Sequence, residues 1–182
     1  MHQVGENRDY EPSNHSASLG NDDQGFWGIA AMTAAERGFE DPPEDKPQWL
    51  ALAQAVFNRQ AGRWDTKFCN GGLRWQVLEI NKGYDYKNSI SNGLFFQLGA
   101  RLARYTGNAT YADWAEKAYA WTKEIGLISS DFRVHDGAHI PECVVSDTNL
   151  WTYNAGTFLA GGVYLYDYYV RLPSLFLPPP PR

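Results

Sequence analysis

Five stretches of the chain carry apolar residues at helical spacing, and they are of two kinds. From Asp22 or Asp23 to about Arg37, the apolar residues Phe26, Trp27, Ile29, Ala30, Ala31 and Met32 leave hardly any polar face, which predicts a buried helix. Gly38 and then Asp41-Pro42-Pro43 end it. The next stretch starts near Pro47, a residue accepted in a first helical turn, and places Trp49, Leu50, Ala53, Val56 and Phe57 on one stripe. A third covers Asn88 to Tyr105 and is apolar on more than one face, ending at Gly107-Asn108. The fourth, from about Thr110 to Ile125, returns to a single stripe, with Thr110 and Asp113 at capping-box spacing. The fifth, Leu150 to Tyr169, is apolar all round. Asn154 and Asp167 at its ends and the glycines within it argue against a membrane span.

The order buried, amphipathic, buried, amphipathic, buried predicts an inner and an outer layer of helices. A faint repeat supports a toroid of helical hairpins. Gln24-Gly25-Phe26, Asn92-Gly93-Leu94-Phe95 and Asn154-Ala155-Gly156-Thr157-Phe158 each open a buried helix with an amide, a glycine and a Phe, the glycines lying 68 and 63 residues apart. A closed ring of six such pairs needs about 390 residues. The predicted fold is therefore all-α, an incomplete toroid of helical hairpins holding about half of a six-pair ring and spanning residues 1–170. Residues 1–21 and the segment from Gly126 to Thr148 read as loop, and Leu73 to Ile80 has weak strand character within the long Trp64–Tyr86 connection. Four prolines after Leu177 cannot continue a helix, so 171–182 is predicted to be a disordered tail.

Charge narrows the partners. A net charge of -5 with no basic stripe excludes a nucleic-acid binder. Aromatic residues make up 15% of the chain; most of these rings are expected in the core, and the remainder are candidates to stack on sugar faces. Two cysteines, Cys69 and Cys143, permit at most one disulfide and form no C-x-x-C pair, so no zinc site is expected. His135 and His139 are four apart, but Gly137 between them reads as a turn. The first residues have no basic n-region and no apolar h-region, so no signal peptide is expected.

The chemistry concentrates at the starts of the buried helices. If these run parallel, Asn21, Asp22 and Asp23 converge with Asn88, Ser89 and Asn92 and with Tyr153 and Asn154, while Trp75 and Asp136 on loops close over them. Adjacent carboxylates cannot both ionise easily, so Asp22 and Asp23 should divide into one anion and one acid. That is the pair that glycosidic cleavage uses, at about 5–5.5 Å in a retaining site and about 6.5–9.5 Å in an inverting one. Sequence leaves the two distances open. Asn-Asp-Asp is also simply a good helix start. An Asp-rich diphosphate–magnesium motif would need a third acid, where this chain has Gln24-Gly25-Phe26.

Longer stretches carry a resemblance. Ser18-Leu19-Gly20-Asn21-Asp22-Asp23-Gln24-Gly25-Phe26-Trp27-Gly28, Cys69-Asn70-Gly71-Gly72-Leu73-Arg74-Trp75-Gln76, Tyr86-Lys87-Asn88-Ser89-Ile90-Ser91-Asn92-Gly93, Asp136-Gly137-Ala138 and Trp151-Thr152-Tyr153-Asn154-Ala155-Gly156 follow in an order that resembles glycoside hydrolase family 76, the α-1,6-mannanases. The likeness runs from about Gln3 to Tyr168 and is greatest to the fungal Dfg/Dcw-type cell-wall mannosidases.

The resemblance implies an (α/α)6 barrel and retaining cleavage of α-1,6-mannose linkages, with Asp22 as nucleophile and Asp23 as acid/base. It further implies Asp136 as a ligand of sugar hydroxyls; beside it, the candidate sugar contacts read from the chain are Asn21, Trp27, Trp75, Asn88, Asn92, Tyr153 and Asn154, with no cofactor or metal expected. The implied partner is α-mannan or the glycan of a GPI anchor, handled by a monomer at the cell surface, with membrane attachment only through a GPI anchor that this chain lacks. Water as acceptor gives hydrolysis and a sugar acceptor gives transglycosylation; both stay open. In that secreted setting Cys69 and Cys143 are expected to form a disulfide, and the sequons at Asn14 and Asn108 to be glycosylated. The competing reading is a non-catalytic remnant or a mannan-binding structural protein.

Overall fold

The five stripes fold as five helices whose starts lie within two residues of those expected: α1 (Asn21–Arg37), α2 (Trp49–Ala61), α3 (Ser89–Thr106), α4 (Ala109–Glu124) and α5 (Thr152–Leu175). The computed structural model describes residues 4–175. α5 continues through Pro173 to Leu175, so 171–175 is helical where a tail was expected. A proline in the last turn forfeits a single backbone hydrogen bond, which a helix of 24 residues tolerates. Residues 176–182, the rest of that expected tail, lie outside the described residues. α4 is capped by Asn108, whose side chain accepts from the Thr110 N–H at 3.0 Å, and not by the Thr110–Asp113 box.

Contacts between α1, α3 and α5 advance in step, so the three helices run parallel, side by side. Gly25 and Gly28 of α1 face Leu94 and Leu98 of α3, and further along Arg101 of α3 pairs with Glu36 of α1. Gly93 faces Phe158 of α5, Gly161 faces Phe96, and Arg104 pairs with Asp167. A Cβ on Gly25 would stand 2.9 Å from the Leu94 Cβ, so the glycine of the repeat is what lets these backbones approach. α2 lies behind α1 and α3, and α4 behind α3. Phe57 of α2 joins the layers, stacked on Phe95 at 5.0 Å and edge-on to Tyr111 at 4.8 Å. Burying each such ring stabilises the fold by about 1.5–3 kcal/mol.

Among the described residues only those of α3 are buried on all sides. α1 exposes Phe26 and Trp27, and α5 exposes Leu159, Val163 and Tyr166. The apolar surround of those two helices therefore overstated their burial, because each has an inner neighbour on one side only. The third glycine of the repeat, Gly156, has nothing within 4 Å of its Cβ position. No described helix is long and apolar enough to cross a membrane.

The connections are less plain than expected. Three short antiparallel strands, β1 (Tyr86–Asn88), β2 (Gly137–His139) and β3 (Val144–Asp147), form a sheet in the order β1-β2-β3. Leu73 to Ile80 is not a strand; within it Gln76 makes a single bridge to Gly20. The stretch expected as loop, 126–148, supplies two of the three strands, and Gly137 begins a strand rather than a turn. β1 runs directly into α3, which sets this sheet at the N-terminal end of the inner helices.

Candidate active site

The first turn of α1 is fixed to the Trp75 segment by backbone and side chain together. The Asn21 N–H donates to the Trp75 carbonyl at 2.8 Å, and the Trp75 indole Nε1 donates to Asp22 Oδ2 at 3.0 Å. Asp22 Oδ1 accepts from the Asp23 N–H at 3.0 Å, so both oxygens of Asp22 are held. Asp23 is exposed and turns back over the helix start, where its Oδ2 accepts from the Gly20 N–H at 2.9 Å. Gly20 is the residue both carboxylates close over: a Cβ there would lie 2.2 Å from Asp22 Oδ1 and 3.1 Å from Asp23 Oδ2.

Asp136 stands at the start of β2. Its carbonyl accepts from the Ser89 N–H at 2.7 Å and its own N–H donates to the Asp147 carbonyl at 3.1 Å, which ties it to the start of α3 and to β3. The carboxylate accepts from the Tyr86 hydroxyl at 2.8 Å on one oxygen and from Asn154 Nδ2 at 3.2 Å on the other. Trp75, Tyr86, Asp136, His139 and Asp147 line a cleft of about 620 Å³. The same hydrogen-bonded segments also wall a cavity of about 810 Å³ lined by Arg74 and Gln76, which flank Trp75 in sequence, and by Tyr84.

Electrostatics join the walls. Burial, and after it the negative charge of Asp23, push the Asp22 carboxyl up to about 6, against the opposing pull of the Asp23 N–H and the Trp75 indole. The Tyr153 hydroxyl is raised by burial and then by Asp136 and Asp22, so it lies within the field of both carboxylates. Burial and the hydrogen bond to Asp136 raise the Tyr86 hydroxyl and keep it a proton donor.

The other residues expected at the site divide. Trp75, Asp136, Tyr153 and Asn154 come together with Asp22 and Asp23. Asn21, Asn88 and Asn92 are buried, their side chains engaged inside the fold: Asn21 with the Arg74 carbonyl and Arg63, Asn88 as the cap accepting from the Ser91 N–H, and Asn92 with both backbone groups of Leu73. Trp27 lies on the open flank of α1, stacked on Tyr10 at 5.2 Å. Tyr86 and Gly20 were missed. Each sits inside a stretch singled out for other residues, and a tyrosine or glycine beside an aspartate carries no spacing signal of its own.

Cys69 and Cys143 are joined by a disulfide with Cα atoms 5.3 Å apart. Lys87, fully buried, donates from Nζ to the carbonyls of Asp65 at 2.9 Å and Phe68 at 2.7 Å in the same loop. Asn14 and Asn108 are exposed. His139 pairs with Asp85 at 3.2 Å and His135 with the Thr148 carbonyl at 3.4 Å. Among the described residues no group of three or more His, Cys, Asp or Glu is placed to hold a metal ion.

Comparison with known proteins adds to this geometry. Residues 1–171 match the Glycosyl hydrolase family 76 profile. The mannan endo-1,6-alpha-mannosidase DCW1 of Saccharomyces cerevisiae is 58% identical over 171 residues, covering 92% of this chain and 38% of the relative. The crystal structure of Dfg5 from Chaetomium thermophilum in complex with glucosamine superposes with a TM-score of 0.89 at 55% identity, over 92% of this chain and 42% of that one. A GH76 alpha-mannanase of Bacteroides thetaiotaomicron shares the fold at 22% identity, with a TM-score of 0.70 over 86% of this chain and 41% of that one. The chain thus spans about two fifths of the length of these three relatives, and the family match over residues 1–171 takes in both aspartates: it belongs to glycosyl hydrolase family 76.

Proposed function

We propose that this chain carries the catalytic pair of a retaining glycosidase or transglycosylase acting on α-1,6-mannose linkages of cell-wall mannan or a GPI-anchor glycan at the cell surface. The observation that carries the reading is the Asp22–Asp23 pair, one carboxylate held by two donors and the other exposed, joined through the Trp75 indole to a cleft that Trp75 and Asp136 line. Asp22 is the nucleophile. Attack on an anomeric carbon requires a fixed oxygen, and Asp22 is held by two donors. Asp23 is the acid/base, since an exposed carboxyl can give its proton to the leaving sugar oxygen and later take one from water or from an acceptor hydroxyl.

The pair shares one proton in its reactive form. Retaining cleavage uses that proton on Asp23 while Asp22 is the anion that attacks the anomeric carbon. Asp136 accepts from hydroxyls of the bound sugar, its carboxylate held by Tyr86 and Asn154 so that it presents its remaining lone pairs to the cleft. Trp75 and Tyr153 supply ring faces, and Asn14 and Asn108 are glycosylated in the secreted protein. Asp22→Asn and Asp23→Asn are each expected to abolish cleavage of α-1,6-mannan while the helical fold persists. Turnover retained in both variants overturns the proposal in favour of a mannan-binding or structural role.

A further inference from the structure

We infer that Arg63 is a positioning residue for the aspartate pair, aligning the first turn of α1 from beneath. The inference rests on the catalytic reading of Asp22 and Asp23 given above.

Arg63 follows Gly62 at the end of α2, and its side chain is 17% exposed. One nitrogen, Nη1, donates to Asn21 Oδ1 at 3.0 Å and to Gln24 Oε1 at 2.8 Å. The other, Nη2, donates to Glu11 Oε2 at 2.6 Å. Asn21 and Gln24 bracket the aspartates in sequence, so the guanidinium holds the two residues on either side of the pair while touching neither carboxylate. The two amides are in turn fixed at their other ends: Asn21 Nδ2 donates to the Arg74 carbonyl at 2.9 Å and Gln24 Nε2 to the Asp9 carbonyl at 2.7 Å. Gln60 adds a donor to the Asn21 carbonyl at 2.7 Å. Asn21 and Gln24 are both buried, so with the guanidinium removed neither amide oxygen has water to replace it.

The planar fork is what this geometry uses. A lysine at position 63 keeps a positive charge for Glu11 but cannot reach three acceptors in one plane. A role confined to stability would lower the melting temperature and leave the folded enzyme's turnover intact. A positioning role lowers kcat with KM little changed, because Asp136 and the aromatic walls still bind sugar, and it loosens the Trp75–Asp22 contact that helps keep Asp22 ionised.

The test uses the protein carrying this chain, with Arg63→Lys, Arg63→Met and Asp22→Asn as variants. The readouts are thermal melts, kcat and KM on α-1,6-mannooligosaccharides, and the Asp22 carboxyl titration followed by carbon-13 NMR. Expected for the Arg63 variants is a folded protein with kcat about tenfold lower or worse, KM within about twofold, and an Asp22 midpoint raised by about half a unit. Arg63→Lys should be the milder of the two. Folded Arg63 variants with unchanged kcat and an unmoved Asp22 midpoint overturn the inference. So does failure of both to fold, which would make the contact one of stability alone. Should Asp22→Asn retain turnover, the catalytic reading falls, and the Asp22 midpoint still decides whether Arg63 acts on the pair.

Discussion

The indole Nε1 of Trp75 donates to Asp22 Oδ2 at 3.0 Å across 53 residues of sequence. It links a loop after α2 to the first turn of α1, and it does so with a hydrogen bond to a carboxylate, which is worth about 1.5–3 kcal/mol. In Trp75→Phe the ring remains and the donor is lost. Asp22 should then titrate above its present value of about 6, and kcat/KM near pH 6 should fall by roughly 10–100-fold. Steady-state kinetics across pH, with Trp75→Phe beside the wild type, checks this; an unmoved acidic limb would show that the indole does not control Asp22.

The pH dependence of the wild type follows from the same group. As the proposed nucleophile, Asp22 must be ionised, so kcat/KM should rise with pH through a midpoint near 6. The sign for stability is opposite. A carboxyl raised from 3.8 to about 6 in the fold holds its proton more tightly folded than unfolded. Its contribution to stability is complete below about 3.8 and is lost as pH rises through 6. Melting temperatures of the wild type minus those of Asp22→Asn should therefore decline between pH 4 and pH 6.5. A flat difference across that window would contradict the raised carboxyl.

Gly20 offers a sharper steric test. Its φ of −89° suits any residue, so alanine there meets no backbone strain. The new methyl would nevertheless stand 2.2 Å from Asp22 Oδ1 and 3.1 Å from Asp23 Oδ2, and both carboxylates must move. Gly20→Ala is expected to keep the melting temperature within a few degrees while kcat drops at least tenfold. Equal loss of fold and activity would place Gly20 in stability instead.

How much of this was legible in the chain depended on the range of the interaction. The helices were legible because the side chains that make them helical lie three and four residues apart. Which amides bind sugar was not, because Asn21, Asn88 and Asn92 at helix starts look the same whether they face a cleft or cap and brace the fold. Only their partners, Arg63, Ser91 and Leu73, separate the two uses. The three-residue strands were equally hidden. Tyr86 to Asn88 is too short for alternation to show, and its partner strand begins at Gly137, 49 residues later, with Asn88 opposite it. Asp22 and Asp23 are visible in the chain as adjacent carboxylates at a helix start, a feature that an ordinary acidic first turn shares, and the long matching stretches are what favour the catalytic reading.

The loop carrying Cys69 is held by two unlike devices, which makes their combination informative. The disulfide to Cys143 closes a separation of 74 residues, and loop-closure entropy puts its contribution at about 4 kcal/mol. Lys87 binds the same loop from inside through the carbonyls of Asp65, Phe68 and Gly71 and an ion pair of 3.3 Å with Asp65. Its burial lowers the ammonium from 10.5 to about 8, so the fold disfavours the charge that its carbonyl partners favour. Between pH 8 and 10.5 the unfolded chain binds the proton more tightly, and the Lys87 contribution to stability should grow as pH rises through that window. Lys87→Met leaves the carbonyls without a buried donor and is expected to cost about 3 kcal/mol. Because both devices order one loop, reducing the disulfide in Lys87→Met should cost less than in the wild type, by about 1 kcal/mol or more. Denaturant melts of the four species, oxidised and reduced, wild type and variant, measure that coupling directly. Strict additivity would show that the disulfide and the lysine hold the loop independently.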